Sequence, residues 1–524
     1  MTDTSITTLE QMLSPRSVAI VGASDNPGRI GGRPLAYLID HKFTGDIYPV
    51  NPTRDTVQGL KAWPSILDID GHIDTVVIAV PAPHVVQTVR DCVTKGVKGC
   101  IILSAGFAEM GEEGAQAQEE LTKISKETGI RLLGPNCLGS MNVHENFLPT
   151  FSGAPSLQLP IKGGLSIITQ SGAFGAHLYY LSTQTRLGVR YVITTGNESD
   201  VQVADAILMC ANDPETKVIM AYSEGIKNGD RLIEALEAAA AAEKPVVFMK
   251  VGRSEVGALA ATSHTASLTG EDAVIDAIFR QYGVHRAVTT EDLVDIAYAA
   301  IKGRKPTGRR LGLVTISGGV GVLMADAAED CGLDVAPMPA KAQASLTDLI
   351  PFAAPRNPVD VTAQILNELD KLPQFFSTLI VEGKYDTVLA FFTSGASTKT
   401  SAAKFLAAIQ QMRQEHPEQF IVLSLLANED EVKSYEELGF PVFPDASRAV
   451  AAIAAVIRFV EAHDRLASRE QLTLPDARGL PEGPLSEAGA KKILQQAGLP
   501  VLAETLATSA QEATRAAGDK PVAM

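Results

Sequence analysis

Residues 17–32 read SVAIVGASDNPGRIGG. An unbroken apolar run enters a cluster of glycines, Gly22, Gly28, Gly31 and Gly32, and a helical pattern opens near Gly32. Apolar residues without alternation suit a strand buried on both faces, the condition of a parallel sheet. Glycine lets the backbone approach a diphosphate, and a helix N-terminus offers free N–H groups with about half a positive charge. A tight turn without any ligand would use the same glycines.

Outward from this stretch, to about residue 136, short apolar runs (SVAIVGAS, DIYPVNP, TVVIAVP, GCIILSAGF, RLLGPN) alternate with helical stretches at 83–96 and 112–129. That spacing predicts a doubly wound parallel sheet in a unit over 7–145. A Pro- and Gly-bearing stretch, 148–164, leads to a second α/β unit over 150–302, carried by LSIITQSG, VRYVITTGN, KVIMAYSEG and PVVFMKVG. A basic connector, 302–310, precedes a third over 306–464, with LGLVTISGG, TVLAFFTSG, FIVLSLL and PVFPD closing on a helix at 447–463. Residues 465–484 carry Pro, Gly and charge without apolar period and read as a linker. Beyond it, a helix capped by Ser486 and another over 509–517 lead to KPVAM, the expected opening of a strand in an incomplete fourth domain, 485–524.

A chain of 524 residues exceeds one ordinary core, in keeping with several domains. No apolar run approaches the ~20 residues that span a bilayer, so no membrane segment is expected. The first eleven residues include Asp3 and Glu10 where a secretory leader would be basic and then apolar, which points to the cytoplasm. Five cysteines, scattered and never in a Cys-x-x-Cys pair, argue for reduced thiols over disulfides or zinc. A net charge of −16 makes nucleic acid a poor partner, while a small anion can still bind at a helix terminus.

Four places could carry chemistry. At the first strand, Gly22, Gly28, Gly31 and Gly32 open a helix, and the end of the second strand reads Tyr48-Pro49-Val50-Asn51-Pro52 in place of the acidic residue expected of a nicotinamide-dinucleotide site. A nucleotide whose ribose is otherwise engaged, such as CoA, fits better. The second place, TQSGAFG, sets Ser171, Gly172 and Ala173 at another strand-to-helix junction, able to hold a phosphate or to serve as an ordinary N-cap. The third is His264 in GALAATSHTASLTG, whose small neighbours leave room for an adduct. A neutral imidazole accepts a phosphoryl group when a carboxylate orients its other nitrogen. The fourth, Glu224 in AYSEGIKNG, is a candidate for that carboxylate at a predicted strand end, although a solvated loop glutamate would look the same. There is no GxxxxGK[ST] or HExxH motif, and no metal-ligand spacing among the nine histidines.

Together, VGAS…GG with YPVNP, GPNCLG, TQSGAFG, TGNESDV, AYSEGI and ATSHTASLTG resemble the motif series of the ADP-forming acetyl-CoA synthetase family, relatives of succinyl-CoA synthetase, over about residues 10–465. The resemblance implies an α/β chain with a Rossmann-like CoA-binding domain and two flavodoxin-like succinyl-CoA-synthetase-type domains. LSEAGAKKILQQAGLPV resembles the start of an ATP-grasp domain.

The resemblance also implies a relay in which ATP phosphorylates His264, oriented by Glu224, with Ser171 and Gly172 holding the phosphate. The phosphoryl group passes to a carboxylate, and CoA attacks the acyl phosphate. CoA would lie against Gly22, Ala23, Ser24, Gly31, the Val50-Asn51-Pro52 turn and Pro81, with Asn136 and Asn197 near the same crevice. Magnesium would accompany ATP and ADP, bound mainly by an ATP-grasp part. The expected partners are a small carboxylate and either further copies of the chain or an ATP-grasp subunit. Ala266 replaces a glycine common in the family. An acyl-CoA-sensing module is the competing reading, from which the presence of His264 in its motif argues away; Asn51 argues against an NAD-dependent oxidoreductase.

Overall fold

The opening apolar run forms β1, Ser17–Val21, with its first four residues buried. The computed structural model describes residues 2–254, 256–257, 272–468, 483–502, 505 and 507–518, in two units, Met1–Ala467 and Ser468–Met524. In the larger unit β1 is joined by β2 (Asp46–Val50), a small hairpin of β3 (Thr56–Val57) and β4 (Leu60–Lys61), then β5 (Thr75–Ile78), β6 (Gly99–Ile102) and β7 (Arg131–Leu133). The first sheet runs β2-β1-β5-β6-β7, parallel throughout.

A second sheet is built from β8 (Ser140–Asn142), β9 (Lys162–Thr169), β10 (Val189–Thr194), β11 (Val218–Ser223), β12 (Val246–Lys250) and β13 (His285–Arg286), in the order β13-β12-β11-β9-β10-β8. Here β8 pairs antiparallel with β10 at the edge. The third contains β14 (Leu311–Thr315), β15 (Val359–Asp360), β16 (Thr387–Thr393), β17 (Phe420–Leu425) and β18 (Val442–Phe443), in the order β15-β14-β16-β17-β18. The three α/β layers expected from the apolar runs are present, and their parallel strands share one topology. Counted in chain order within each sheet, that order is 2-1-3-4-5, so the direction of winding reverses beside the first strand.

Two kinds of element escape the strand-and-helix reading of the sequence. A helix, Thr2–Leu13, begins the chain and buries Leu9, Met12 and Leu13; their spacing of three and four is its sequence signal. Asn142 of β8 clamps that helix, donating from Nδ2 to Leu13 O at 3.0 Å and Ser14 Oγ at 2.9 Å. The strands β13 and β15 have two residues each, too short for an apolar pattern to mark them.

One buried carboxylate ties the second layer to the third. Glu436, with a side chain 2% exposed, accepts from Arg186 Nη2 at 2.6 Å, Lys302 Nζ at 3.0 Å and Tyr298 OH at 2.8 Å. Tyr298 OH in turn accepts from Val442 N of β18 at 3.0 Å. Burial alone would raise the Glu436 carboxyl, but these donors hold it below the usual range.

All five cysteines are free, and burial pushes the thiols of Cys137 and Cys210 up to about 12. Among the described residues no helix is long and apolar enough to cross a membrane. The smaller unit contains helices Glu487–Gln496 and Ala510–Ala517, capped by Ser486 and Ser509.

Glu436→Ala leaves two half-buried cations without their anion and is expected to cost about 1.5–3 kcal/mol in chemical denaturation at neutral pH. Because the folded carboxyl titrates below its unfolded value, its contribution is present above the unfolded pKa and fades as pH falls through the folded one. Wild type and variant should therefore converge on acidification.

Candidate functional site

Where winding reverses, the loops after the first and third strands diverge to opposite faces and leave a crevice. In the first sheet these loops carry Gly22 and Pro81. Gly22 has φ +90°, and a Cβ there would lie 2.6 Å from Ala79 O. At Gly31 a Cβ would lie 2.0 Å from Gly22 O. The loop thus closes backbone on backbone, as a diphosphate cradle requires. Gly22 N and Ala23 N donate to Val50 O at 3.1 and 3.2 Å, which joins the ends of β1 and β2. Asn51 donates from Nδ2 to Ala23 O at 2.9 Å and accepts from Thr53 N at 3.0 Å. An aspartate at 51 would turn a carboxylate oxygen toward a carbonyl oxygen, so the missing acid also has a local structural reason. Ser24 Oγ accepts from Asn26 N. Pro52 is exposed, and Pro81 caps the helix Ala82–Lys95. Gly32 gives the helix Arg33–Asp40 no side-chain cap; Arg33 N donates instead to Arg29 O at 3.0 Å, and Pro34, in the first turn, has no N–H to satisfy.

The second crevice, between β9 and β11, gathers the other candidates. Ser171 caps the 13-residue helix Gly172–Gln184, accepting from Phe174 N at 3.3 Å. Its hydroxyl is therefore an N-cap, while the amides of Gly172 and Ala173 have no intrahelical acceptor and point along the positive end of the helix. Glu224 follows β11 and is buried, 7% exposed. Tyr222 OH donates to its Oε1 at 3.4 Å, and burial followed by the Glu224 charge raises the Tyr222 hydroxyl to about 12. The carbonyl of Glu224 accepts from Lys250 Nζ at 2.8 Å. His264 lies outside the described residues.

Gln170, which sits inside the quoted TQSGAFG motif but was not itself an expected site residue, joins the two sides of this crevice. Its Oε1 accepts from Glu224 N at 2.6 Å and Gly225 N at 3.2 Å. Its Nε2 donates to Gly225 O at 2.8 Å and to Glu198 Oε2 at 3.0 Å. Glu198, 5% exposed, accepts also from Thr195 Oγ1 and Val203 N; burial raises its carboxyl against the opposing charge of Lys227.

Asn136 and Asn197 meet each other, Nδ2 of Asn136 donating to Asn197 Oδ1 at 3.3 Å. Asn197 Nδ2 also donates to Glu109 and, at 2.9 Å, to Gln118. These two carry a junction between the first and second layers. Burial would raise Glu109, but N–H groups of Gly106 and Asn197 hold it low.

The strand-to-helix junction recurs in the third sheet. Thr169 Oγ1 donates to Ser171 O at 2.9 Å and Thr315 Oγ1 to Ser317 O at 2.8 Å, so T-x-S-G at 169–172 and 315–318 form the same turn. Comparing the two stretches of sequence would have revealed the second.

Residues 16–142 match the CoA binding domain family, 162–300 the succinyl-CoA ligase like flavodoxin domain, and 311–465 the Ligase-CoA domain. The chain is 34% identical over 458 residues, 86% of its length and 97% of the relative, to the Pyrococcus furiosus acetate–CoA ligase [ADP-forming] II subunit alpha. It belongs to the ADP-forming acetate–CoA ligase family. The members of this family are acid–thiol ligases. Another relative, trans-feruloyl-CoA synthase FCS1 of an unknown prokaryotic organism, is 33% identical over 97% of this chain and 73% of its own. Among solved structures, an acetyl-coenzyme A synthetase 1 of Ca. Korarchaeum cryptofilum, in complex with phosphate and ADP, superposes with a TM-score of 0.78 at 29% identity, covering 88% of this chain and 98% of that one.

Gly31→Ala forces a methyl into Gly22 O and is expected to raise the CoA dissociation constant at least about tenfold, equal to about 1.4 kcal/mol. Gly28→Ala, whose nearest neighbour is the end of Asn26 at 3.1 Å, should change it little. Calorimetric titration of both variants with CoA separates the two.

Proposed function

We propose that this chain is the CoA-binding and phosphoryl-relay part of an acyl-CoA ligase that turns a carboxylic acid, CoA and ATP into acyl-CoA, ADP and phosphate. The observation that carries the reading is the meeting, at one reversal of strand order, of the first amides of the helix Gly172–Gln184 with the buried Glu224, whose main-chain N–H is held by Gln170, two residues before that helix. Such a site suits a group that is anionic throughout and needs positioning more than proton chemistry.

Glu224 accepts the N–H of one imidazole nitrogen of His264, so the other presents its lone pair to the γ-phosphorus of ATP. The bond to the ADP oxygen breaks as the P–N bond forms. A substrate carboxylate oxygen then attacks phosphorus, the P–N bond breaks and an acyl phosphate results. The CoA thiol adds to the acyl carbon and phosphate departs, leaving the thioester. Gly172 and Ala173 hold the phosphoryl oxygens through their N–H groups. The first crevice, with Gly22, Ala23, Ser24, Gly31, Val50, Asn51, Pro52 and Pro81, holds CoA; Asn136 and Asn197 shape the junction beside it. An ATP-grasp subunit or domain supplies the nucleotide site with its magnesium, and the assembly works in the cytoplasm.

With an ATP-grasp partner, magnesium and γ-labelled ATP, wild type should take acid-labile, base-stable label that carboxylate plus CoA discharges. His264→Ala should take none, and Glu224→Gln should label about 10–100-fold more slowly. A wild-type complex that binds CoA but never labels would overturn the relay.

A further inference from the structure

The four hydrogen bonds of Gln170 complete what one amide can make: two accepted by its oxygen and two donated by its nitrogen. Oxygen and nitrogen of a side-chain amide are nearly the same size, so hydrogen bonding alone decides which way the group faces. Here Glu224 N and Gly225 N select Oε1, while the carbonyl of Gly225 and Glu198, acceptor-only when ionised and the charged partner of the set, select Nε2. The opposite orientation would set NH2 against two N–H groups and a carbonyl against a carboxylate.

Keeping a carboxylate at 5% exposure is costly unless donors surround it. Thr195 Oγ1 at 3.0 Å, Val203 N at 2.9 Å and Gln170 Nε2 at 3.0 Å supply them, and Lys227 Nζ sits on Glu198 O at 3.0 Å. An apolar residue would fill the space without that cost and without setting the amide. The strand end that carries Glu198 is itself fixed one residue earlier, where Asn197 binds Gln118 of the first layer at 2.9 Å.

We infer that Glu198 and Gln170 are positioning residues that set the main chain at Glu224 and so aim its carboxylate in the phosphoryl-transfer site. The inference rests on the proposed relay. It assigns no contact with substrate to either residue; both act through the backbone of Glu224.

The test is the rate of label uptake from γ-labelled ATP by the complex with an ATP-grasp partner, with CoA affinity and thermal unfolding measured beside it. Glu198→Gln places an NH2 among three donors and should slow labelling about tenfold at saturating ATP, with the CoA dissociation constant unchanged within about twofold. The double variant Glu198→Gln/Glu224→Gln should label no more slowly than Glu224→Gln alone, since residues acting through one group are not additive. A general loss of structure would instead multiply the two effects. Should Glu198→Gln fail to fold, Thr195→Val removes one donor without touching charge and should slow labelling in the same, smaller sense. Wild-type labelling accompanied by unchanged variants, or by multiplying effects, overturns the inference alone. A wild-type complex without label overturns the relay and the inference with it.

Discussion

A parallel sheet whose first strand lies inside the layer sends its connections to opposite faces, so the carboxyl ends of that strand and its later neighbour are left without a helix across them. The chain meets this constraint three times, and each time the strand end is answered by small residues opening a helix: Gly31 and Gly32 after β1, Ser171 and Gly172 after β9, Ser317 and Gly318 after β14. The backbone at these points has to come close to whatever sits in the crevice, and a helix terminus supplies charge there without any basic side chain. That is how a chain with a net charge of −16 can offer local anion sites.

The layers are not independent. Asn197 fastens the end of β10 to Glu109 and Gln118 of the first layer, and Glu436 of the third collects Arg186, Lys302 and Tyr298 from the second. Both devices are polar contacts between layers. They give orientation, which apolar packing alone specifies less sharply.

Much of this was legible in the sequence because buried parallel strands announce themselves as unbroken apolar runs and the glycine turns follow directly. SVAIV, LSIIT, VRYVIT, VIMAYS and TVLAFF each became a strand. What stayed hidden depends on partners far away in the chain. Asn142 means little until its amide is seen on Leu13, and a two-residue strand such as Val359–Asp360 carries no period at all. Gln170 lies within TQSGAFG, but nothing in the motif marks it, since only the fold brings Glu224, 54 residues later, onto its side chain. Glu198, in TGNESDV, is hidden in the sequence for the same reason: its partner Gln170 lies 28 residues earlier. Short motifs show which backbone is needed; they do not show which neighbouring side chain sets it.

The thiols of Cys137 and Cys210 are buried, and burial raises both to about 12, which disfavours the thiolate, the form that reacts. Thioesters are acylating agents, and a protein that belongs to a family of acid–thiol ligases is exposed to capture by its own sulfur. Depth and low dielectric here act as chemical insulation: these two cysteines fill space as small hydrophobes and cannot compete with an incoming thiol for the activated acyl group.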